Sequence, residues 1–181
     1  MLARHFGAVI LAAMSEESLP FLEAKRPEYF IQLAMREARR AFDVDEVPVG
    51  AVVVDRPSGR VIARAHNQRE LLQDPTAHAE VLAITQAAAH YHSWRLTDCA
   101  LFVTLEPCLM CAGAIVMSRI PQVFYAVDDP KAGAHRSVFE VLATSKNHHV
   151  PEVGRGFLAD ESAELLREFF RKKRSKPSNG S

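Results

Sequence analysis

The chain contains two short motifs rich in potential metal ligands, HAE at 78–80 and PCLMC at 107–111. Two cysteines three residues apart, after a proline suited to a first helical turn, lie on one face of the helix. A helix N-terminus lowers the pKa of a thiol and prepares thiolates to hold a metal. One imidazole and two thiolates suit Zn2+, which prefers four ligands and would keep one position for water. The motifs therefore predict a catalytic zinc site formed by His78, Cys108 and Cys111, which the fold must bring together.

Glu80 lies two residues after the predicted ligand His78, where a carboxylate is placed to move protons. Zinc lowers the pKa of a bound water to about 7, and the released proton needs a carrier that can later deliver it to a leaving amine. Residues two apart point in different directions on an ideal helix. If both side chains serve one site, Glu80 must reach around or the first turn must be irregular. We therefore predict that Glu80 is the catalytic general acid and base.

A Cys-x-x-Cys pair also occurs in redox sites and as half of a structural zinc site, and both alternatives stay open. A redox pair would need neither the histidine nor the glutamate. A structural zinc would need a fourth protein ligand, for which Cys99, His66 and His135 are the candidates. Cys99 lies in a strand-like segment, where buried and inert thiols are common. The presence of both motifs in order favours the catalytic site.

Composition is that of one domain in a reducing compartment. The 181 residues suffice for a single core. The three cysteines, two of which a metal would use, argue against a disulfide framework and for a cytoplasmic protein. The apolar run over 6–14 is too short to cross a bilayer and lacks a cleavage site, so no membrane association is expected. Acidic and basic residues number 22 each, so any nucleic acid must bind a local patch.

Apolar periodicity and turn signals divide the chain into helices and strands. Helices are predicted over 27–42, 74–90, 107–118, 137–144 and 160–174, and strands over 49–55, 60–66, 100–105, 122–127 and 150–157. Asp74 followed by Pro75 is a strong signal for a helix start. We expect residues 1–26 to be a disordered or non-essential extension, residues 27–174 to form the functional domain and residues 175–181 to be a flexible tail.

The strand over 100–105 leads directly into the PCLMC motif, and the next strand follows one helix later. Such a strand-helix-strand unit is a right-handed parallel crossover. Cys108 then leaves the carboxyl end of a strand, the edge at which open α/β sheets place their sites. With the hairpin of the first two strands, we predict an α/β fold: a three-layer α/β/α sandwich around a mixed five-stranded sheet.

Between residues 27 and 174 the chain resembles the tRNA-specific adenosine deaminase family, the bacterial wobble enzymes of the cytidine deaminase-like superfamily. The resemblance is carried by the zinc motifs and the text around them: VPVGA at 47–51, DPTAHAE at 74–80, TLEPCLMCAGA at 104–114, Asp129 with Lys131 and Gly133, and LADE at 158–161. It implies a cytidine deaminase-like fold, a Zn2+ cofactor and hydrolytic deamination of adenosine to inosine at the wobble position of tRNA. It also implies a homodimer that binds the anticodon stem-loop.

By position, the resemblance assigns substrate contacts to Asn67, the backbone of Ala79, Asp129 and Phe170 in the final helix. Simpler roles stay open for two of them, since Asn67 could shape a turn and Asp129 could cap the loop before Pro130. The end of the final helix would supply a basic patch for phosphates, although cations are also common at helix C-termini. This patch comprises Arg167, Arg171, Lys172, Lys173, Arg174 and Lys176.

The chain departs from the family pattern on either side of Asn67 and again near residue 136. His66 stands where an aromatic residue often precedes Asn67, Gln68 replaces a frequent arginine, and Arg136 makes the segment over 134–137 bulkier. These differences concern recognition of the flanking nucleotides. Because the zinc motifs are shared with guanine and cytidine deaminases, deamination of a free guanine or cytosine derivative remains an alternative function. A zinc-stabilised RNA-binding module without catalysis is a second alternative, which a fourth protein ligand would favour.

Overall fold

A mixed sheet with helices on both sides is the framework of residues 27–175, the part of the chain that this computed structural model describes. The predicted extension over 1–26 and residues 176–181 of the predicted tail lie outside the described residues. The strands are β1 (Gly50–Asp55), β2 (Arg60–His66), β3 (Cys99–Leu105), β4 (Gln122–Val127) and β5 (Glu152–Arg155). The helices are α1 (Pro27–Asp43), α2 (Arg69–Leu72), α3 (Ala79–Tyr91), α4 (Leu109–Ser118) and α5 (Ala159–Ser175).

The strand order in the sheet is β2-β1-β3-β4-β5. Strand β1 pairs antiparallel with β2 and β3, whereas β3, β4 and β5 run parallel to one another. The predicted parallel crossover is therefore confirmed in the β3-α4-β4 unit. This topology gathers the amino end of β1 and the carboxyl ends of β2, β3 and β4 at one edge, which we call the site edge.

Alternate residues of each strand enter two separate cores, as the period of two in a strand requires. On one face Val52 and Val54 pack beneath α1 and α5. On the other face Val53 and Leu101 pack beneath α3 and α4. Because both faces are covered, β3 is buried along nearly its whole length and reads as a continuous apolar run. The predicted three-layer α/β/α sandwich is confirmed.

Gly50, in the VPVGA segment, has a packing role. A Cβ atom there would overlap the backbone of Ala34 and Ala38, because α1 crosses β1 very closely at this point. The amide of Gly50 donates to Oγ1 of Thr104 at 3.1 Å, and the hydroxyl of Ser162 donates to the carbonyl of Thr104 at 2.6 Å. These contacts tie β1 and α5 to the central strand β3.

The predicted helix over 74–90 begins at Ala79 instead, so this part of the prediction was wrong. Asp74 uses its carboxylate in a turn, where Oδ1 accepts from the amide and the hydroxyl of Thr76, each at 2.7 Å. An aspartate side chain can accept a backbone amide at a helix N-terminus or within a turn, and Asp74 does so within a turn. A short helix, α2, lies just before this turn, within a segment predicted as a loop.

The segment predicted as a helix over 137–144 forms successive turns. Ser137 donates its amide to Glu106, and the next two amides both donate to the carbonyl of Gly133, which bends the chain away from a helical path. The last strand, β5, is also shorter than the predicted 150–157. Across the described part of the chain, no helix combines the length and the hydropathy that crossing a bilayer requires.

Candidate active site

The site edge brings together the side chains of His78, Cys108 and Cys111, whose ligand atoms all lie within 4.8 Å of one another. Nδ1 of His78 is 3.6 Å from Sγ of Cys108 and 3.5 Å from Sγ of Cys111, and the two sulfur atoms are 3.6 Å apart. A tetrahedral Zn2+ with bonds of about 2.3 Å to sulfur and about 2.0 Å to nitrogen would separate these ligand atoms by about 3.5–3.8 Å. The three side chains therefore have the spacing that a tetrahedral metal site requires.

His78 and Cys108 each occupy the residue just before a helix. His78 is the N-cap of α3 and Cys108 is the N-cap of α4, and both have an extended backbone, with ψ of 149° and 174°. Cys111 follows in the first turn of α4, so the prediction that both cysteines lie within one helix is corrected: the helix begins at Leu109. Since the ligands meet at two helix N-termini, the positive ends of two helix dipoles favour thiolates at this point.

The extended backbone of His78 also removes the conflict in direction between His78 and Glu80. Only Glu80 belongs to the helix, and both side chains reach the same cavity. Glu80 is 4% exposed, and burial raises the pKa of its carboxyl to about 6, with the charge of Cys108 acting in the same direction. A carboxyl group whose pKa lies near neutrality can both accept and return a proton.

The two cysteines hold their protons unequally. The hydrogen bond with Cys111 lowers the pKa of Cys108 to about 4, whereas the same contact, together with burial, raises the pKa of Cys111. The hydrogen bond with Cys108 also raises the pKa of His78, against the opposing effect of burial. Cys108 is therefore the thiolate of this group, and a metal would displace the proton of Cys111 on binding.

Within residues 27–175, no fourth histidine, cysteine, aspartate or glutamate joins this group. Cys99 is fully buried at the start of β3, at the far edge of the sheet. Nδ1 of His66 faces Oε2 of Glu37 at 3.6 Å, and Nδ1 of His135 lies 3.0 Å from the hydroxyl of Tyr125. Three protein ligands leave a tetrahedral metal one position for another group, as in catalytic sites.

A small cavity of about 140 Å³ opens beside the three ligands. Its wall contains five of the residues predicted for the site, namely Asn67, His78, Glu80, Cys108 and Asp129. Ala79, between His78 and Glu80, and Cys111, three residues after Cys108, are fully buried. Sequence reasoning gave no site role to the remaining wall residues, which are Val47, Val49, Arg69, Leu105, Glu106 and Ala132.

Asn67 is held in the cavity wall by Glu46, which sequence reasoning also missed. Nδ2 of Asn67 donates to Oε2 of Glu46 at 3.0 Å, and the amide of Leu71 donates to Oε1 at 2.8 Å. Glu46 is 1% exposed. This contact places the nitrogen of the Asn67 amide toward Glu46. A single glutamate thus orients Asn67 and anchors α2.

The loop after β4 is held by the buried carboxylate of Glu106. Oε1 accepts from the amides of His135, Arg136 and Ser137 at 3.0, 2.9 and 3.2 Å, and Oε2 accepts from the amide of Asp129 at 2.9 Å and from the hydroxyl of Ser137. Burial alone would raise the pKa of Glu106, but these hydrogen bonds hold it below its usual value. The carboxylate therefore fixes the position of Asp129 at the cavity.

Gly133 joins this loop to Cys108, one of the three predicted metal ligands. It pairs with Cys108 in an isolated β-bridge, and a Cβ atom at Gly133 would overlap the carboxylate of Glu106. Oδ1 of Asp129 accepts from the amide of Lys131 at 2.9 Å, so Asp129 caps the loop as well as lining the cavity. Both interpretations of Asp129 from the sequence are compatible with its position.

A larger groove of about 710 Å³ adjoins the cavity, and Val47, Leu105 and Asp129 line both. Phe170 of α5 lines this groove and is 42% exposed, so it lies beside the metal cavity and not within it. Basic side chains from α5 and the loop after β4 border the same groove: Lys131, Arg167, Arg171 and Arg174. The cavity thus continues into a groove with an aromatic side chain and a cationic border.

Known proteins share both this fold and its motifs. The family model of the MafB19-like deaminases matches residues 26–174. A tRNA-specific adenosine deaminase of Aquifex aeolicus (strain VF5) is 48% identical over 149 residues, which cover 82% of this chain and 96% of that relative. A solved structure from studies of A-to-I editing by tRNA:A34 deaminases is 46% identical, with a TM-score of 0.73 over 76% of this chain and 99% of that chain.

A guanine deaminase from Nitrosomonas europaea is a more distant neighbour. Its structure has a TM-score of 0.69 and 26% identity, over 80% of this chain and 84% of that chain. The fold and the metal-binding group do not by themselves separate the two activities, but sequence identity near one half, sustained along almost the whole of the relative, does so. The chain belongs to the tRNA-specific adenosine deaminase family.

Proposed function

We propose that this deaminase hydrolyses adenosine to inosine at the wobble position of tRNA. The observation that carries the proposal is the spacing of His78, Cys108 and Cys111 around a cavity that also contains Glu80. The family's relatives that act on tRNA support the choice of substrate. The deaminase domain that we propose is residues 27–174, and a tRNA substrate would place it in the cytoplasm.

We propose Zn2+ as the metal, held by Nδ1 of His78 and the two thiolates. The soft sulfur ligands and the separations of 3.5–3.6 Å support zinc over metals that prefer oxygen ligands or octahedral geometry. When bound, zinc supplies a nucleophile at neutral pH by lowering the pKa of a coordinated water. His78, Cys108 and Cys111 would hold the metal beside the cavity that also contains Glu80.

Glu80 would carry the proton of the reaction. Its carboxylate takes a proton from the attacking water and delivers it to N1 of the adenine ring as the bond from oxygen to C6 forms. Glu80 then takes the proton of the new hydroxyl group on C6 and passes it to the amino group. The bond between C6 and the amino nitrogen breaks, ammonia leaves, and inosine remains. Burial supports this role, since a carboxyl with a pKa of about 6 exchanges protons in both directions near neutrality.

The remaining contacts would hold the nucleotide. Asn67, fixed by Glu46, would bond the edge of the base, and the backbone of Ala79 would lie beside it. Asp129 would border the path between the cavity and the groove, and Phe170 would stack against a neighbouring base. A base in a single-stranded loop enters such a cavity at lower cost than one in a duplex.

We propose a homodimer, with α4 contributing to the surface between the two copies. Leu109 and Met117 on this helix are 51% and 62% exposed, and Gly113 between them has open space where a side chain would be. These positions are four residues apart and form one stripe of the helix. An apolar stripe next to the metal ligands would be covered by a second copy of the chain, as the family resemblance implies.

The experiment that tests the proposed function compares RNA and free substrates. Zinc-loaded protein should convert adenosine to inosine in an anticodon stem-loop with adenosine at the wobble position, as detected by mass spectrometry of the digested RNA. A stem-loop with adenosine moved to another loop position serves as the control. Faster turnover of free guanine or a cytosine derivative than of the stem-loop would contradict this proposal. It would favour deamination of a free base, the activity of the structurally similar guanine deaminase.

Glu80→Gln separates catalysis from RNA binding alone. The variant should keep its zinc and its affinity for the stem-loop but lose about 10²–10⁴-fold in turnover, since a general acid and base typically contributes that factor. Zinc content, binding and single-turnover rate are measured on the same preparation. Turnover near the wild-type rate would show that Glu80 is not the proton carrier, and an inactive wild type that binds RNA would favour the non-catalytic module.

A further inference from the structure

We propose that Arg69 binds a phosphate of the RNA backbone beside the reacting nucleotide. This inference rests on the proposed function, because it takes a single-stranded RNA loop as the substrate. Arg69 lines the metal cavity together with His78 and Glu80, and its side chain is exposed. It is the sole lysine or arginine among the residues that line this cavity in the described part of the chain.

The guanidinium of Arg69 is available for a ligand. Across residues 27–175 its side chain makes no salt bridge within 4.0 Å and no hydrogen bond. Arg167, which lines the adjoining groove, differs in this respect because it is paired with Glu164 at 2.8 Å. A phosphate would therefore meet Arg69 without breaking an existing ion pair, and guanidinium suits phosphate geometry well.

The position of Arg69 is fixed even though its side chain is free. The α2 backbone is held at Leu71 by the buried carboxylate of Glu46, at 2.8 Å. The amide of Gln68 donates to the carbonyl of Ala77 at 3.0 Å, and the amide of Asp74 donates to the carbonyl of Arg69 at 3.2 Å. Glu46 and Ala77 thus hold the start and middle of this segment in place, and the Asp74–Arg69 hydrogen bond closes its C-terminal end, so Arg69 stays at the cavity.

Gln68 supplies no cation to the cavity. At the position of a frequent arginine in the family, Gln68 is the half-buried N-cap of α2 and does not line the cavity. Arg69, one residue further along the chain, does line it. Because Glu80 and Asp129 also line the cavity, the charge of Arg69 is needed to make its mouth attractive to a phosphate.

Cations line both the cavity and the adjoining groove. Arg69 lines the cavity, while Lys131 and the arginines of α5 line the groove. A single strand with one nucleotide in the cavity and the next in the groove would carry its phosphates past both sets of cations. Each phosphate contact with a single strand contributes about 0.7 to the slope of log affinity against log salt.

The test measures binding of a stem-loop that carries inosine, the reaction product, at the wobble position, so that no turnover disturbs the titration. Arg69→Gln should weaken binding about tenfold near 0.1 M salt and reduce the salt slope by about 0.7. Arg69→Lys should keep the slope, because it keeps the charge. The matched control is Arg64→Gln, an exposed arginine on β2 that removes one charge outside the cavity. It should leave the affinity and slope within error of the wild type.

Kinetics distinguish phosphate binding from a general effect of charge on the metal site. Arg69→Gln should raise KM for the adenosine stem-loop and leave kcat at saturating RNA within about twofold. An unaltered salt slope in Arg69→Gln, or an equal loss in Arg64→Gln, would overturn the proposal. Failure of the proposed function has a different signature, namely a wild-type protein that binds the inosine stem-loop but leaves the adenosine stem-loop unmodified.

Discussion

Replacing Glu106 by glutamine tests whether one buried carboxylate holds the loop that carries Asp129. Glutamine has the same shape but offers one oxygen and one amino group. Because Oε1 faces three backbone amides, the new oxygen should take that side and the amino group should face the amide of Asp129. The hydroxyl of Ser137 can turn to accept from the amino group, so the amide of Asp129 is the donor that loses its acceptor.

The magnitude follows from these contacts. An unsatisfied buried donor costs about 1–3 kcal/mol, and the three remaining amides would bond to a neutral instead of a charged oxygen. We therefore expect Glu106→Gln to reduce the free energy of unfolding by about 2–4 kcal/mol at neutral pH. The loss should be concentrated in the loop, where Asp129 would be displaced, and KM for the RNA should rise.

The effect should also depend on pH with a defined sign. The folded-state pKa of Glu106 is lowered, so its charge stabilises the fold above the unfolded value of about 4.3 and ceases to do so as the pH falls through the folded value. The difference in unfolding free energy between wild type and Glu106→Gln should be constant near neutrality. It should shrink as the pH falls below about 4.3.

Urea denaturation across pH measures this difference, and hydrogen exchange of the amides at 129 and 135–137 locates it. Exchange should accelerate at these amides and remain unchanged at those of β3. An unfolding free energy within about 0.5 kcal/mol of the wild type, with unchanged loop exchange, would refute the role that we assign to Glu106.

Three further predictions concern the metal, Asn67 and the basic helix end. The wild type should purify with about one zinc per chain, and Cys111→Ala should purify with much less, since only two ligands remain. Full metal content in the variant by elemental analysis would contradict the role of Cys111 as a ligand. Glu46→Ala should raise KM for the stem-loop far more than it lowers kcat, because Asn67 loses its anchor; a lower apparent kcat with an unchanged KM in steady-state kinetics would show that Glu46 serves only stability. Ending the chain after Phe170 should flatten the salt slope of stem-loop binding by about 0.7 per lost phosphate contact, with little change in turnover at saturating RNA. If the truncated protein binds the stem-loop as well as the wild type at every salt concentration, these cations do not contact the RNA.

The strands and the metal-binding residues were predicted correctly where the local sequence pattern alone determines the structure. Strands β2 and β4 have the predicted bounds, and the parallel crossover follows from the order of apolar segments. The metal-binding group was predicted correctly because the spacing of its residues reflects their chemistry. The two cysteines lie within one turn, and the extended backbone of the N-cap His78 allows His78 and Glu80 to face the same site. Short motifs of this kind keep their meaning without knowledge of the rest of the fold.

The failures share one physical cause, which is a partner distant in sequence. Nothing near residues 137–144 indicates that the amide of Ser137 binds Glu106, 31 positions away. Glu46 lies 21 residues before Asn67, and its place at the site arises only when β1 and β2 pair. Arg69 was overlooked because α2 is a four-residue helix with no periodicity to detect. Buried polar contacts of this kind come from tertiary structure, which a local pattern does not encode.

The one-sided placement of the chemistry has a practical consequence for protein engineering. Strand β3 runs seven residues from the far edge, where Cys99 pairs with Asp55, to the site edge, a distance of about 20 Å. The β1–β2 turn lies at that far edge, and Pro57 and Ser58 are exposed at its tip. Such exposed turns accept insertions readily. A fluorescent reporter or a second RNA-modifying domain could be spliced in between Pro57 and Ser58, where it would face away from a docked tRNA.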